Sequence, residues 1–137
     1  MARILCIDYG KKRTGIAVTD PLKIIASGLT TVESPRLISF LKEYFSRESV
    51  EMILIGEPHN LNHTDTDATA MVRNFISQLH AVFPSISIKT IDERFTSKLA
   101  ARAMLDMGMK KKQRQKKELI DEIAATIMLQ EYLDRPF

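Results

Sequence analysis

Apolar positions follow two rhythms along this chain. Short runs of strand length occur at 3–8, 14–20, 24–32, 52–55 and 86–91. Between them apolar residues recur every three or four positions, as on one face of a helix. Leu37, Ile38, Leu41, Tyr44 and Phe45 form one such stripe, and Met71, Val72, Phe75, Ile76 and Leu79 a second. Leu99, Ala100, Ala103 and Met104 form a third, and Leu119, Ile120, Ile123, Ile127 and Leu133 a fourth. Turn residues punctuate the series. The Gly-containing stretch Tyr9 to Arg13 fits a hairpin between the first two strands. Ser34 before Pro35 reads as a helix N-cap, and Gly56 as the stop of the fourth strand. Thr96 or Ser97 is placed to cap the third helix, which stops near Gly108.

The expected order is therefore β-β-β-α-β-α-β-α-α. Three strands joined by short turns predict an antiparallel meander, and strands separated by helices predict parallel pairing. The fold class is α/β, with a five-stranded mixed sheet flanked by helices. At 137 residues, with no internal repeat and no linker, residues 1–137 read as one domain. Sites in such sheets lie near the carboxyl ends of parallel strands. Asp8, Gly56 and Asp92-Glu93 all end strands of that set.

Composition narrows the class. No apolar run nears the roughly 18 residues that span a membrane, and the opening segment has no signal-peptide pattern. A single cysteine, Cys6, leaves no internal disulfide and makes the cytoplasm the expected location. Inside an apolar run, Cys6 reads as core. The net charge of +3 hides an uneven distribution, because residues 89–117 hold ten Lys/Arg against three Asp/Glu. A basic field around acidic positions points to a polyanionic partner, in the first place nucleic acid.

Three acids carry the candidate chemistry. Asp8 ends the first strand, Glu93 follows the last, and Asp121 opens an Ala-rich helix. Each sits beside an element expected to be buried, where a carboxylate is costly unless paired. Clustered carboxylates suit hard cations such as Mg²⁺ or Mn²⁺. Two such cations about 3.5–4 Å apart serve phosphodiester hydrolysis, with Asp8 the natural bridging ligand on a rigid central strand. The small Ala124 and Ala125 would let the last helix pack close to the sheet. Bland readings stand beside these. Asp121 equally suits a helix N-terminus, and Asp92 and Glu122 are alternative ligands beside Glu93 and Asp121. Asp20 reads as a turn residue, His59 and His63 as polar loop residues, and His80 as surface.

The motifs Asp8-Tyr-Gly-Lys-Lys-Arg-Thr-Gly-Ile-Ala, Gly56-Glu-Pro58, Asp92-Glu-Arg94 and Asp121-Glu-Ile-Ala-Ala125, in this order, resemble the YqgF/RuvX family. These are RNase H-like proteins named as Holliday-junction resolvases or as nucleases that mature the 5′ end of pre-16S rRNA. The resemblance covers essentially the whole chain and implies Asp8, Glu93 and Asp121 as an acidic triad. One departure is the loop His59-Asn-Leu-Asn-His-Thr64, where the family often carries Asp-Gly. The glycine turn also resembles the phosphate loop of actin-like ATPases, but those are two-domain proteins and this chain is short for a second half.

The residues point to a nuclease with a two-metal site that cuts phosphodiester bonds; the family resemblance, and not the residues, implies pre-16S rRNA as its substrate, with the small ribosomal subunit as the presenting partner. Lys11, Lys12, Arg13 and Arg94 would hold phosphates beside the site. Lys110, Lys111, Lys112, Arg114, Lys116 and Lys117 form a basic run without aromatic residues, suited to phosphates and not to bases. A resolvase of branched DNA, which favours a homodimer over a monomer, is the second reading. A non-catalytic nucleic-acid-binding assembly factor is the third.

Overall fold

The computed structural model describes residues 2–57, 67–92 and 116–134, with side chains from 69 and 120 onward in the last two segments. The expected helix near 97–108, the loop histidines His59 and His63, and Pro58 lie outside the described residues. So do Glu93, Arg94, Lys110, Lys111, Lys112, Arg114 and the side chains of Lys116 and Lys117.

Strands β1 (Arg3–Asp8), β2 (Arg13–Thr19) and β3 (Ala26–Glu33) open the chain. A 3₁₀ turn at Ser34–Arg36 leads into α1 (Leu37–Arg47). Then come β4 (Val50–Glu57), α2 (Asp67–Val82), β5 (Ser87–Asp92) and α3 (Lys116–Asp134). The sheet order is β3-β2-β1-β4-β5, so β1 is central. It pairs antiparallel with β2 and parallel with β4, and β4 pairs parallel with β5. The expected mixed sheet is present.

The two sheet faces have separate cores, and strand alternation assigns each residue to one of them. Leu5, Ile7, Ile16, Val18, Ile53 and Ile55 face α1 and α2, meeting Leu37, Leu41, Val72, Phe75 and Leu79. Ile4, Cys6, Ala17, Leu54 and Ile91 face α3, meeting Ala125, Met128 and Leu129. Cys6 is fully buried, as a core residue should be. Each fully buried aliphatic side chain contributes on the order of 1.5–3 kcal/mol.

Several local expectations need correction. Gly56 does not stop β4, because it stays in register with Ile91 of β5. Ser34 is not a helix cap. It begins the 3₁₀ turn without a side-chain capping bond, and its hydroxyl donates to the carbonyl of Gly10 instead. On α3 the buried stripe is Ile120, Ala124, Ala125, Met128 and Leu129, with Ile123 and Ile127 only half-buried. The helix is turned so that its small residues face the sheet. β3 begins at Ala26 and not at 24, because Asp20 takes the preceding amides. Its carboxylate accepts from the backbone N–H of Leu22 (3.0 Å), Ile24 (2.8 Å) and Ile25 (2.8 Å). Asp20 is the turn residue that its position suggests.

The small stripe of α3 meets a glycine. A Cβ on Gly15 of β2 would collide with the backbone carbonyl of Asp121 and lie 2.8 Å from the amide nitrogen of Glu122. Neither backbone group can swing aside. Gly15→Val should therefore lower stability by about 1–3 kcal/mol, the usual cost of overpacking. Urea unfolding checks this as a lower midpoint with an unchanged slope. An unchanged midpoint would show that α3 does not rest on β2.

The Asp20 turn predicts a pH effect. The Ile25 amide foremost, aided by those of Ile24 and Leu22, holds the Asp20 carboxyl below its ordinary value against a smaller desolvation. A lowered folded pKa means stabilisation that is complete above the unfolded value, roughly pH 3.9, and is lost as pH falls through the folded value. The stability gap between wild type and Asp20→Ala should be constant above about pH 5 and shrink in more acid solution. Acid titrations of both proteins check it, and a gap independent of pH would refute the role.

Candidate functional site

Alternation on β1 sets the site. Ile4 and Cys6 point toward α3, so Asp8 continues on that face at the carboxyl end of the strand. It is only 7% exposed. Glycines flank it on both sides. Asp8 pairs directly with Gly15 of β2. On β4 the register Ile7↔Ile55 puts Gly56 level with Asp8, in line with Leu54 on the same face. No side chain from either neighbouring strand therefore crowds the carboxylate.

The missing Cβ of Gly15 is the space that the backbone of Asp121 fills. Asp8, Gly15 and Asp121 thus meet on one face of the sheet. The side chain of Asp121 is 14% exposed and accepts a hydrogen bond from Nε of Arg13 at 2.7 Å. Arg13 stands two residues before Gly15 on β2, so its side chain leaves on that same face. The expected phosphate ligand is thus bound to an acid of the expected triad, a pairing that sequence gave no means to see.

The competing acids go elsewhere. Ile86 and Ile88 face α1 and α2, whereas Ile91 faces α3. Asp92 follows Ile91 and belongs to the opposite face from Asp8. Glu122 lies over β3, where its side chain fills the space left by Gly28. Glu57 also belongs to the α2 face and forms an ion pair with Arg73 at 3.3 Å. His80 is exposed, as a surface residue should be.

The turn that carries Lys11 and Lys12 is fixed from below. Both lysines are exposed at its tip. Buried Thr14 and Ser34 share a hydrogen bond of 2.8 Å between hydroxyls. The Ser34 hydroxyl also bonds the Gly10 carbonyl, and the Ser34 amide donates to the Lys12 carbonyl at 2.9 Å. Thr14 and Ser34 were not candidates from sequence. The available signal was a threonine at a strand position whose alternation makes it buried. Tyr9 turns to the other face and stacks on Phe75, ring centroids 4.4 Å apart. Burial raises its phenol pKa, so it stays neutral and outside the acidic cluster.

The oxygen donors of Asp8 and Asp121 suit a hard divalent cation. Arg13 already places a positive charge against one of them. Among the described residues no three His, Cys, Asp or Glu side chains converge into a set able to hold a metal. Asp8 and Asp121 are two of the three expected acids, and Glu93 lies outside the described residues. Also among these, no helix is long and apolar enough to cross a membrane.

A family model described as "RuvX: Holliday junction resolvase" matches residues 2–135. A protein of Flavobacterium psychrophilum named "Putative pre-16S rRNA nuclease" is 56% identical over 135 residues, covering 98% of each chain. A Porphyromonas gingivalis protein of the same name is 52% identical over 136 residues, covering 99% of each. Among solved structures, Thermus thermophilus RuvC in complex with a Holliday junction substrate is similar with a TM-score of 0.61 at 18% identity, covering 99% of this chain and 97% of that one. Another T. thermophilus RuvC structure gives 0.52 at 13% identity, covering 96% and 93%. These likenesses give the fold, which is RNase H-like. The match along nearly the whole length, with relatives sharing more than half their residues, makes this chain a member of the RuvX family.

Proposed function

We propose that this protein is a divalent-metal-dependent nuclease that processes the 5′ end of pre-16S rRNA. The observation that carries the reading is the meeting of Asp8 and Asp121 on one sheet face, at the carboxyl end of the central strand. The name shared by relatives that are more than 50% identical supports rRNA as the substrate. Asp8, Asp121 and Glu93 would hold Mg²⁺ or Mn²⁺. Bound there, the metal supplies an activated water and charge stabilisation for the leaving oxygen.

The chain's own residues supply the setting. Asp8 ends the central strand of the sheet, so its carboxylate is pre-positioned and needs little reorganisation. Glu93 directly follows Asp92, the last residue of β5. Asp92 belongs to the face away from Asp8, and strand alternation favours its neighbour as the ligand. Lys11 and Lys12 present two positive charges on a turn clamped by Ser34. Arg94 and the run Lys110, Lys111, Lys112, Arg114, Lys116 and Lys117 add phosphate contacts whose strength falls steeply with salt. The small ribosomal subunit is the natural presenter of such a substrate.

A second reading is resolution of four-way DNA junctions, favoured by the description of the matching family model. Two coordinated cuts would call for a two-fold dimer. One experiment separates the readings. A 5′-extended pre-16S rRNA fragment and a four-way DNA junction are incubated with Mg²⁺ or Mn²⁺ and with wild type or Asp8→Asn. The expected result is cutting of the RNA by wild type, reduced at least about 100-fold in Asp8→Asn. Paired cuts in the junction alone would transfer the assignment to a resolvase. Binding of both without cutting of either would favour an assembly factor with no chemistry.

A further inference from the structure

We infer that Arg13 is an exchangeable counter-cation for Asp121: its guanidinium and a divalent metal are alternative partners of that carboxylate, and metal binding releases Arg13 to a substrate phosphate. This rests on the metal reading above and concerns how that site is loaded.

Three observations carry it. First, Arg13 binds Asp121 through Nε at 2.7 Å, a contact through one N–H and not the stronger bidentate pairing that guanidinium and carboxylate can form. An interaction through one N–H is the easier to exchange. Second, the pair is graded in burial. Asp121 is 14% exposed at its side chain, whereas Arg13 is 34% exposed. The acid is fixed by the backbone contact of α3 with Gly15, while the arginine reaches it from the solvent side on a long stem. The arginine is the partner free to leave. Third, Arg13 follows Lys11 and Lys12 on the turn that Ser34 clamps. A guanidinium leaving Asp121 therefore stays beside two exposed positive charges, where a polyanion would bind.

The electrostatics favour a cation at this face. Asp8 and Asp121 are both largely buried on one face. Negative charges so placed need a compensating cation. Arg13 is one such cation, and a divalent ion arriving there would be a stronger one. After that, a guanidinium at the same carboxylate would be repelled by the metal. A phosphate diester is the partner to which its planar donors are matched.

The test is Mn²⁺ binding by calorimetry to wild type, Arg13→Gln and Arg13→Lys, with no nucleic acid present. Removal of the competing cation should tighten Mn²⁺ binding to Arg13→Gln by about fivefold, the scale of one partly exposed ion pair. The same variant should bind a single-stranded RNA probe several-fold more weakly. Unchanged or weaker Mn²⁺ binding by Arg13→Gln would overturn the inference, since Arg13 would then be a prop for Asp121. Absence of Mn²⁺ binding by wild type would overturn the metal reading itself, and the inference with it.

A measurement on the unmodified protein guards against a variant that fails to fold. The Nε–H of Arg13 is followed by ¹H–¹⁵N spectroscopy during Mg²⁺ addition. Loss of its protection from solvent exchange supports release from Asp121. Protection that persists at saturating Mg²⁺ contradicts it.

Discussion

The site depends on one backbone contact. Helix α3 approaches β2 so closely at Gly15 that no side chain fits between them. Gly15 is also the cross-strand neighbour of Asp8. The same glycine thus pairs with one acid and seats the other, from residues more than a hundred positions apart. Ala124 and Ala125 extend the close packing along the helix. A larger residue at any of these points would lift α3 and separate the carboxylates.

From that contact the charge balance follows. Two largely buried acids on one face cannot be left uncompensated, and Arg13 supplies a positive charge from the neighbouring strand. Buried ion pairs add little net stability, because desolvation offsets their attraction. The opposite face has no such tension. There α1 and α2 cover aliphatic side chains, and the ion pair of Glu57 with Arg73 ties β4 to α2 outside the acidic cluster.

Much of this was legible in the sequence. The order of the described strands and helices follows from apolar spacing, and the parallel set follows from the helices between strands. Asp8 was conspicuous as a charge closing an apolar run. The close packing of the last helix was foreshadowed by Ala124 and Ala125. Other features were hidden because they depend on tertiary distance. The bond from Arg13 to Asp121 spans 108 positions, and no local pattern encodes it. A serine before Pro-Arg-Leu suits a helix cap, and the clamp on Gly10 exists only once the hairpin has folded back. Ile123 and Ile127 are only half-buried, and periodicity cannot tell that a helix will turn its alanines inward. Gly56 looked like a stop signal, yet it lies beside Asp8, where the lack of a side chain keeps the carboxylate uncrowded.

In the proposed nuclease, Asp8 and Asp121 form a single metal-binding centre at the carboxyl end of β1. Anomalous diffraction from crystals soaked in Mn²⁺ tests it directly. Manganese should be found bound to carboxylate oxygens of both Asp8 and Asp121, with Glu93 completing the set. Manganese bound elsewhere, with neither Asp8 nor Asp121 among its ligands, would contradict it.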